Sequence, residues 1–236
     1  MKQSNQKMNW NDFKVDTYEQ EIPLKIPGYF TLYEMLNQFL TTMLLPKEAS
    51  PHLLIIGAGG GQEIITLGKQ NDMLRFTGID PSDSMLQLAQ KRIEREKLQN
   101  KISLIKGTVH SILETEVFDA ATCMLVLHFI PELTQKKEVL REINKHLKPG
   151  APFFLSLINA VPNTNTFITQ MNAWRHHMLQ NNIPIEDWNR FETSFGTQIH
   201  PISEKDLIST MEECGFIHIT RFFTGFLTDG YVAVKQ

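Results

Sequence analysis

The stretch LLIIGAGGGQE, residues 53–63, runs four aliphatic residues straight into Gly57, Gly59, Gly60 and Gly61. An unbroken aliphatic run of this kind reads as a strand covered on both faces, the pattern of a parallel sheet. A helix is expected to start near Gln62, just past the glycines. Such a loop lays bare backbone at the carboxyl end of a strand. Without Cβ atoms it turns tightly and lets a bulky ligand come close, and the helix behind it offers unpaired N–H groups.

Outward from this stretch, strand and helix patterns alternate. HLLIIG (52–57), RFTGID (75–80), KISLIKG (101–107), FDAATCMLVL (118–127) and APFFLSLI (151–158) read as strands. One intervening helix is capped by Ser82 or Asp83 and sets Met85, Leu88, Ala89 and Ile93 on one face. Another is opened by Pro131, carries Val139, Leu140, Ile143 and Leu147, and closes at Lys148-Pro149-Gly150. This rhythm argues for a parallel sheet with helices on both faces. Upstream, Tyr29, Leu32, Leu36, Phe39, Met43 and Leu44 follow a helical period that Pro46 ends. Residues 1–28 are polar, punctuated only by IPLKIP (22–27).

Downstream, residues 159–200 break the rhythm. Phe167, Met171, Trp174 and Met178 mark one helix, followed by a polar, aromatic-spotted stretch; the whole insertion is expected to cover the ligand edge of the sheet. A helix from Ser203 to Cys214 restores the pattern. GFIHITRFF (215–223) and GYVAVK (230–235) are linked too tightly for a crossover helix, so they are antiparallel neighbours. The expected fold is α/β, a three-layer sandwich whose seven-stranded, mostly parallel sheet ends in an antiparallel hairpin. It forms one domain over 1–236, with an N-terminal helical extension (1–48) and an inserted cap (159–202).

Composition narrows the function. A charged share of 21% and a net charge of −3, with no basic block, give no support for nucleic-acid or membrane binding, although a local patch for tRNA can hide in such a total. Cys123 and Cys214 fit no metal or disulfide spacing and read as reduced core residues of a cytoplasmic protein; no metal is expected. The N-terminus lacks the apolar core of a signal peptide, and no apolar run reaches bilayer length.

Asp80 lies 23 residues after Gly57, at the end of the next strand, where a carboxylate can accept both hydroxyl hydrogens of a ribose. Glycine loop and acid together describe a nucleoside-containing ligand. A dinucleotide fingerprint would place a third glycine where Gln62 stands, and the Gly-Lys-Ser/Thr ending of a phosphate-cradling loop is absent. That disfavours a NAD-type oxidoreductase.

Over roughly 30–158, and again over 203–236, the chain resembles the class I S-adenosylmethionine-dependent methyltransferases. The matching motifs are LLIIGAGGGQE, GIDPSDSML, ISLIKGTVHSI, FDAATCMLVLHFIPE and EVLREINKHLKPGAPFFLS, with the closing GFIHITRFF and GYVAVK pair. The resemblance implies S-adenosyl-L-methionine as cofactor. Gly57 and Gly59 would pass its methionine part, Asp80 would hold the ribose beside Pro81 and Ser82, and Thr108 and Val109 would flank the adenine. Met124, Leu125 and Val126 would offer carbonyls to the amino group, and Ala58, Gln62, Met85 and Tyr29 complete the expected wall. Two acids frequent in the family are missing: Ile55 and Thr108 stand in their places.

Methyl transfer from a sulfonium needs alignment and exclusion of water more than acid–base chemistry. Candidates for a base, should the acceptor need one, are His128, Tyr29, His176, His177 and Asp229; Met171 and Trp174 either line an apolar acceptor pocket or form a core stripe. The acceptor is expected to be a small molecule. YEQEIPLKIPGY (18–29) is also similar to the segment before the fold in carboxy-S-adenosylmethionine synthases of tRNA wobble-uridine modification, where Pro27-Gly28-Tyr29 would fold over the cofactor and a cap arginine, Arg190 by position, would hold the extra carboxylate. A non-catalytic binder of the cofactor is the remaining reading.

Overall fold

The computed structural model describes residues 15–44 and 50–236; Pro46 and the first 14 residues of the expected extension lie outside that range. The described residues hold seven strands: β1 (His52–Ile56), β2 (Arg75–Asp80), β3 (Lys101–Lys106), β4 (Ala120–Met124), β5 (Pro152–Ile158), β6 (Phe216–Gly225) and β7 (Thr228–Lys235). They form one sheet in the order β3-β2-β1-β4-β5-β7-β6. The first five are mutually parallel, and β7 runs antiparallel to both β5 and β6. β4 and β5 are buried along their whole length, which accounts for their unbroken apolar sequence, whereas β3 alternates at the open edge.

Among the described residues, eight α-helices surround the sheet: α1 (Val15–Lys25), α2 (Tyr29–Met43), α3 (Gln62–Gly68), α4 (Asp83–Glu96), α5 (Leu133–Lys145), α6 (Asn165–Gln180), α7 (Ile185–Ser194) and α8 (Glu204–Glu213). One apolar core joins the sheet to α5 and α8 through Leu140, Ile143, Leu207 and Met211. A second joins the other face to α2, α3 and α4 through Leu32, Leu36, Leu40, Ile64 and Ile93. The seven-stranded, mostly parallel three-layer α/β architecture is therefore the one the sequence implies.

Local differences have local causes. β4 is shorter than 118–127: Phe118 makes only an isolated bridge to Leu147, and Leu125, at φ 60°, turns the chain out of the strand. Pro131 lies two residues before α5, which is entered through Glu132. α1 falls within the expected helical extension but had no readable bounds of its own, because it contains Pro23 and has little apolar periodicity. Tertiary ties hold that helix instead: Glu19 pairs with Arg92 at 3.2 Å, Lys25 pairs with Asp187 at 2.9 Å, and the Trp174 indole Nε1–H donates to the Lys25 carbonyl at 2.7 Å.

The stretch after α6 also holds a second helix, α7, which buries Trp188. Its signal was readable: acids in the first turn, then Trp188, Phe191 and Phe195 at helical spacing. The insertion builds an apolar core of Met171, Trp174, Met178, Ile183, Trp188 and Ile199, closed by Ile158 of β5 and Leu227 of the β6–β7 turn. Its two ends are pinned together, with the Asn159 amide Nδ2 donating to the Ile202 carbonyl at 2.9 Å and the Ala160 N–H to the same carbonyl at 3.1 Å.

Candidate ligand site at the switch point

β1 and β4 are adjacent, and the chain leaves them toward opposite ends of the sheet order. A crevice opens at the carboxyl ends of such a pair. Here it is a cavity of about 290 Å³, walled by the 56–63 loop, the tip of β2, residues 107–109, residues 124–126 and tyrosines from α1 and α2.

The loop is anchored where it crosses β2: the Gly57 and Ala58 N–H groups both donate to the Ile79 carbonyl, at 2.8 and 2.9 Å. Gly57 has φ 70°, and a Cβ there would lie 2.2 Å from Val126 Cγ2. Gly59 has φ 48°, but a Cβ there would meet nothing nearer than Met85 Cε at 3.6 Å. Asp80 is clamped: its Oδ2 accepts the Gly59 N–H at 2.9 Å and its Oδ1 accepts the Ser82 N–H at 2.8 Å. Burial raises its pKa, and these two N–H groups work against the rise. Each carboxylate oxygen keeps a further lone pair for a donor from the cavity.

Tyr29, Gly57, Ala58, Gly59, Gln62, Asp80, Pro81, Met85, Thr108, Val109, Met124, Leu125 and Val126 all line the cavity. Ser82 does not; its hydroxyl caps α4 by accepting the Met85 N–H at 3.3 Å. Four further lining residues carry polar groups that the sequence reading passed over: Tyr18, Tyr33, Glu63 and Arg92. Arg92 lies in the inward stripe of α4 with Met85, Ala89 and Ile93. Its guanidinium donates to the Gly60 carbonyl at 2.6 Å and to Gln62 Oε1 at 2.8 Å, so it braces the glycine loop. A charge inside an apolar helical stripe was the available signal. Burial raises the pKa of Tyr18 to about 12 and those of Tyr29 and Tyr33 well above the ordinary phenol range. These hydroxyls therefore stay protonated at neutral pH, which makes Tyr29 a hydrogen-bonding group and not a phenolate base.

His128 does not line the cavity. It is 4% exposed, its Nδ1 accepts the Ile158 N–H at 3.3 Å, and burial, helped by the Lys136 charge, pushes its pKa down to about 3. It is a neutral packing residue and its ring is placed away from any base role in the cavity. Lys136 beside it donates to the carbonyls of Leu127, Ile130 and His200, tying the segment after β4 to the end of the insertion.

The other candidates also sit elsewhere. His176 is exposed and His177 half-buried on α6. Asp229 is buried against Thr224, whose hydroxyl donates to its Oδ1 at 2.7 Å. Met171 and Trp174 belong to the insertion core. The Arg190 side chain is 75% exposed and paired with Asp187. Both cysteines are buried and free. Among the described residues no group of three or more His, Cys, Asp or Glu could hold a metal ion.

The strand order, the antiparallel closing strands and the glycine loop facing an acid-tipped second strand define a Rossmann-like methyltransferase fold. The magnesium protoporphyrin IX methyltransferase of Synechocystis PCC 6803, solved with bound SAH, matches with a TM-score of 0.65 at 16% identity, covering 96% of this chain and 91% of that one. The methyltransferase domain family matches residues 54–153. A ubiquinone biosynthesis O-methyltransferase of Coxiella burnetii is 28% identical over 108 residues, 46% of this chain and 44% of that relative. A carboxy-S-adenosyl-L-methionine synthase of Campylobacter curvus is 24% identical over 149 residues, 62% of this chain and 60% of that relative. The match thus spans about half the length of these curated relatives.

Proposed function

We propose that this protein is an S-adenosylmethionine-dependent methyltransferase acting on a small-molecule acceptor. Asp80 carries the reading: a clamped, buried carboxylate at the tip of β2, beside the glycine loop, with lone pairs left for two ribose hydroxyls. The residues present fit the cofactor. Gly57 and Gly59 would take the methionine part, Asp80 the ribose, and Thr108 and Val109 the adenine.

The bound cofactor supplies an activated methyl group for in-line displacement. The chain's own part is to align the acceptor and exclude water. Tyr18 and Tyr29 are placed for that, as protonated groups on the helices at the cavity wall. A small acceptor is supported by the lack of basic runs and by the names of the relatives. A cytoplasmic site of action is supported by the free cysteines, and no helix among the described residues is long and apolar enough to cross a membrane.

Thermal shifts with S-adenosylmethionine, S-adenosylhomocysteine and NAD test the reading. Stabilisation by the first two is expected; a shift with NAD alone overturns it. The second reading, a carboxy-S-adenosylmethionine synthase, is favoured by the position of Tyr29 in the cavity wall and by the relative in Campylobacter curvus. Against it, Arg190 is absent from the cavity lining, and Arg92 is already engaged. Mass spectrometry of the co-purified ligand separates the two, because the second requires a mass higher by one carboxylate.

A further inference from the structure

Glu63 sits in the first turn of α3, immediately behind the glycine loop, and lines the cavity. It is 3% exposed, and its Oε1 is buried without a hydrogen-bond partner. A buried acceptor left unpaired is costly, and its persistence calls for a partner. The cavity's cation among the described lining residues, Arg92, is committed to Gly60, Gln62 and Glu19. Asp80 is clamped by backbone N–H groups. Ile55 and Thr108 bring no charge, so Glu63 is the acid left over.

We propose that Glu63 is the carboxylate that receives the α-ammonium group of the bound ligand. The inference rests on the nucleoside-cofactor reading above and assigns this chain's own residue for the amino-acid end. The Glu63 backbone N–H and the Thr122 hydroxyl partly offset its burial, but the unpartnered Oε1 lacks a donor, and an ammonium brings three N–H donors, whereas a sulfonium brings none. The assignment also explains how the site functions with an aliphatic residue at position 55: the negative charge enters from the start of α3 and not from the end of β1.

A proton accompanies the ligand. Burial pushes the Glu63 carboxyl up to about 8, and the Asp80 charge adds to the rise. The titratable and charged groups facing it are Tyr18 from α1, Tyr29 and Tyr33 from α2, Asp80 from β2, Arg92 from α4 and Cys123 from β4, with the Thr122 hydroxyl also at hand. At pH 7 the free acid is therefore mostly protonated. A cation at hydrogen-bond distance draws its pKa down, and the acid releases its proton as the ligand binds.

Calorimetry on the full chain tests this with two neutral thioethers: S-adenosylhomocysteine, and 5′-methylthioadenosine, which lacks the amino-acid end. Repeating the titrations at pH 7 in two buffers of different ionisation enthalpy counts protons. For Glu63→Gln, the expected result is about a tenfold to hundredfold loss of affinity for S-adenosylhomocysteine with 5′-methylthioadenosine unchanged. Wild type should release a proton with the first ligand and none with the second. Equal weakening of both ligands in the variant, or no proton released by wild type, overturns the proposal while leaving the nucleoside reading in place. Failure of wild type to bind either ligand overturns both. If the variant does not fold, the wild-type proton count decides alone.

Discussion

Gly57 and Gly59 are two residues apart and are glycine for different reasons. Both have positive φ, which costs an alanine about 1–2 kcal/mol. At Gly57 a methyl group would also collide with Val126, packed 2.2 Å from where it would lie. At Gly59 the space is open. Gly57→Ala is therefore expected to lower folding stability by about 2–4 kcal/mol and Gly59→Ala by about 1–2 kcal/mol, measured by urea denaturation. A smaller loss at position 57 than at 59 would show that Val126 yields freely.

Asp80→Ala should weaken nucleoside binding by about 1–3 kcal/mol, read by calorimetry with S-adenosylhomocysteine. Unchanged affinity would mean that the ribose lies elsewhere. Most of the cavity wall was legible in the sequence because its residues fall in short runs at strand ends, where topology alone gathers them. Tyr18, Tyr33, Glu63 and Arg92 come from helix faces, and only packing decides which way those point.

Among the elements, the strands and the helices between them were readable because the sheet buries them continuously. α1 was readable only as an unbounded part of a helical extension, because its place depends on partners 76 and 149 residues away in the chain, Arg95 for Glu19 and Trp174 for Lys25. The insertion was read as a cover over the ligand edge, and its first helix does meet α1, yet its apolar stripe serves the insertion core. It is held to the sheet partly by Lys136, whose ammonium serves three backbone carbonyls at once. Lys136→Met keeps the length of the stem and removes the donors. It should destabilise the protein by about 2–4 kcal/mol, seen as a lower denaturant midpoint. A neutral substitution would mean that water satisfies those carbonyls.

On the scale of the whole molecule, two buried groups set opposite pH trends. Glu63 has a folded pKa raised from 4.5 to about 8, so its contribution is fully present below about 4.5 and is lost as pH rises through 8. His128 has a folded pKa lowered from 6.5 to about 3, so its contribution is present above 6.5 and is lost as pH falls toward 3. Denaturation midpoints of the ligand-free protein should fall on the alkaline side between pH 5.5 and 8.5, and Glu63→Gln should flatten that limb while sparing the acid one. An unchanged alkaline limb in the variant would assign the trend to other groups.

The ties on α1 also set an order of events. The ribosome makes Tyr18 long before it makes Trp174 and Asp187, the residues that hold the helix in place. The cavity wall is thus completed by some of the least local contacts in the chain, and contacts of that kind form late. A nascent chain can assemble its sheet well before it has a finished place for a ligand. In the mature protein the same dependence leaves α1, with Tyr18 of the cavity wall, held in part by ion pairs and one indole hydrogen bond to residues far along the chain.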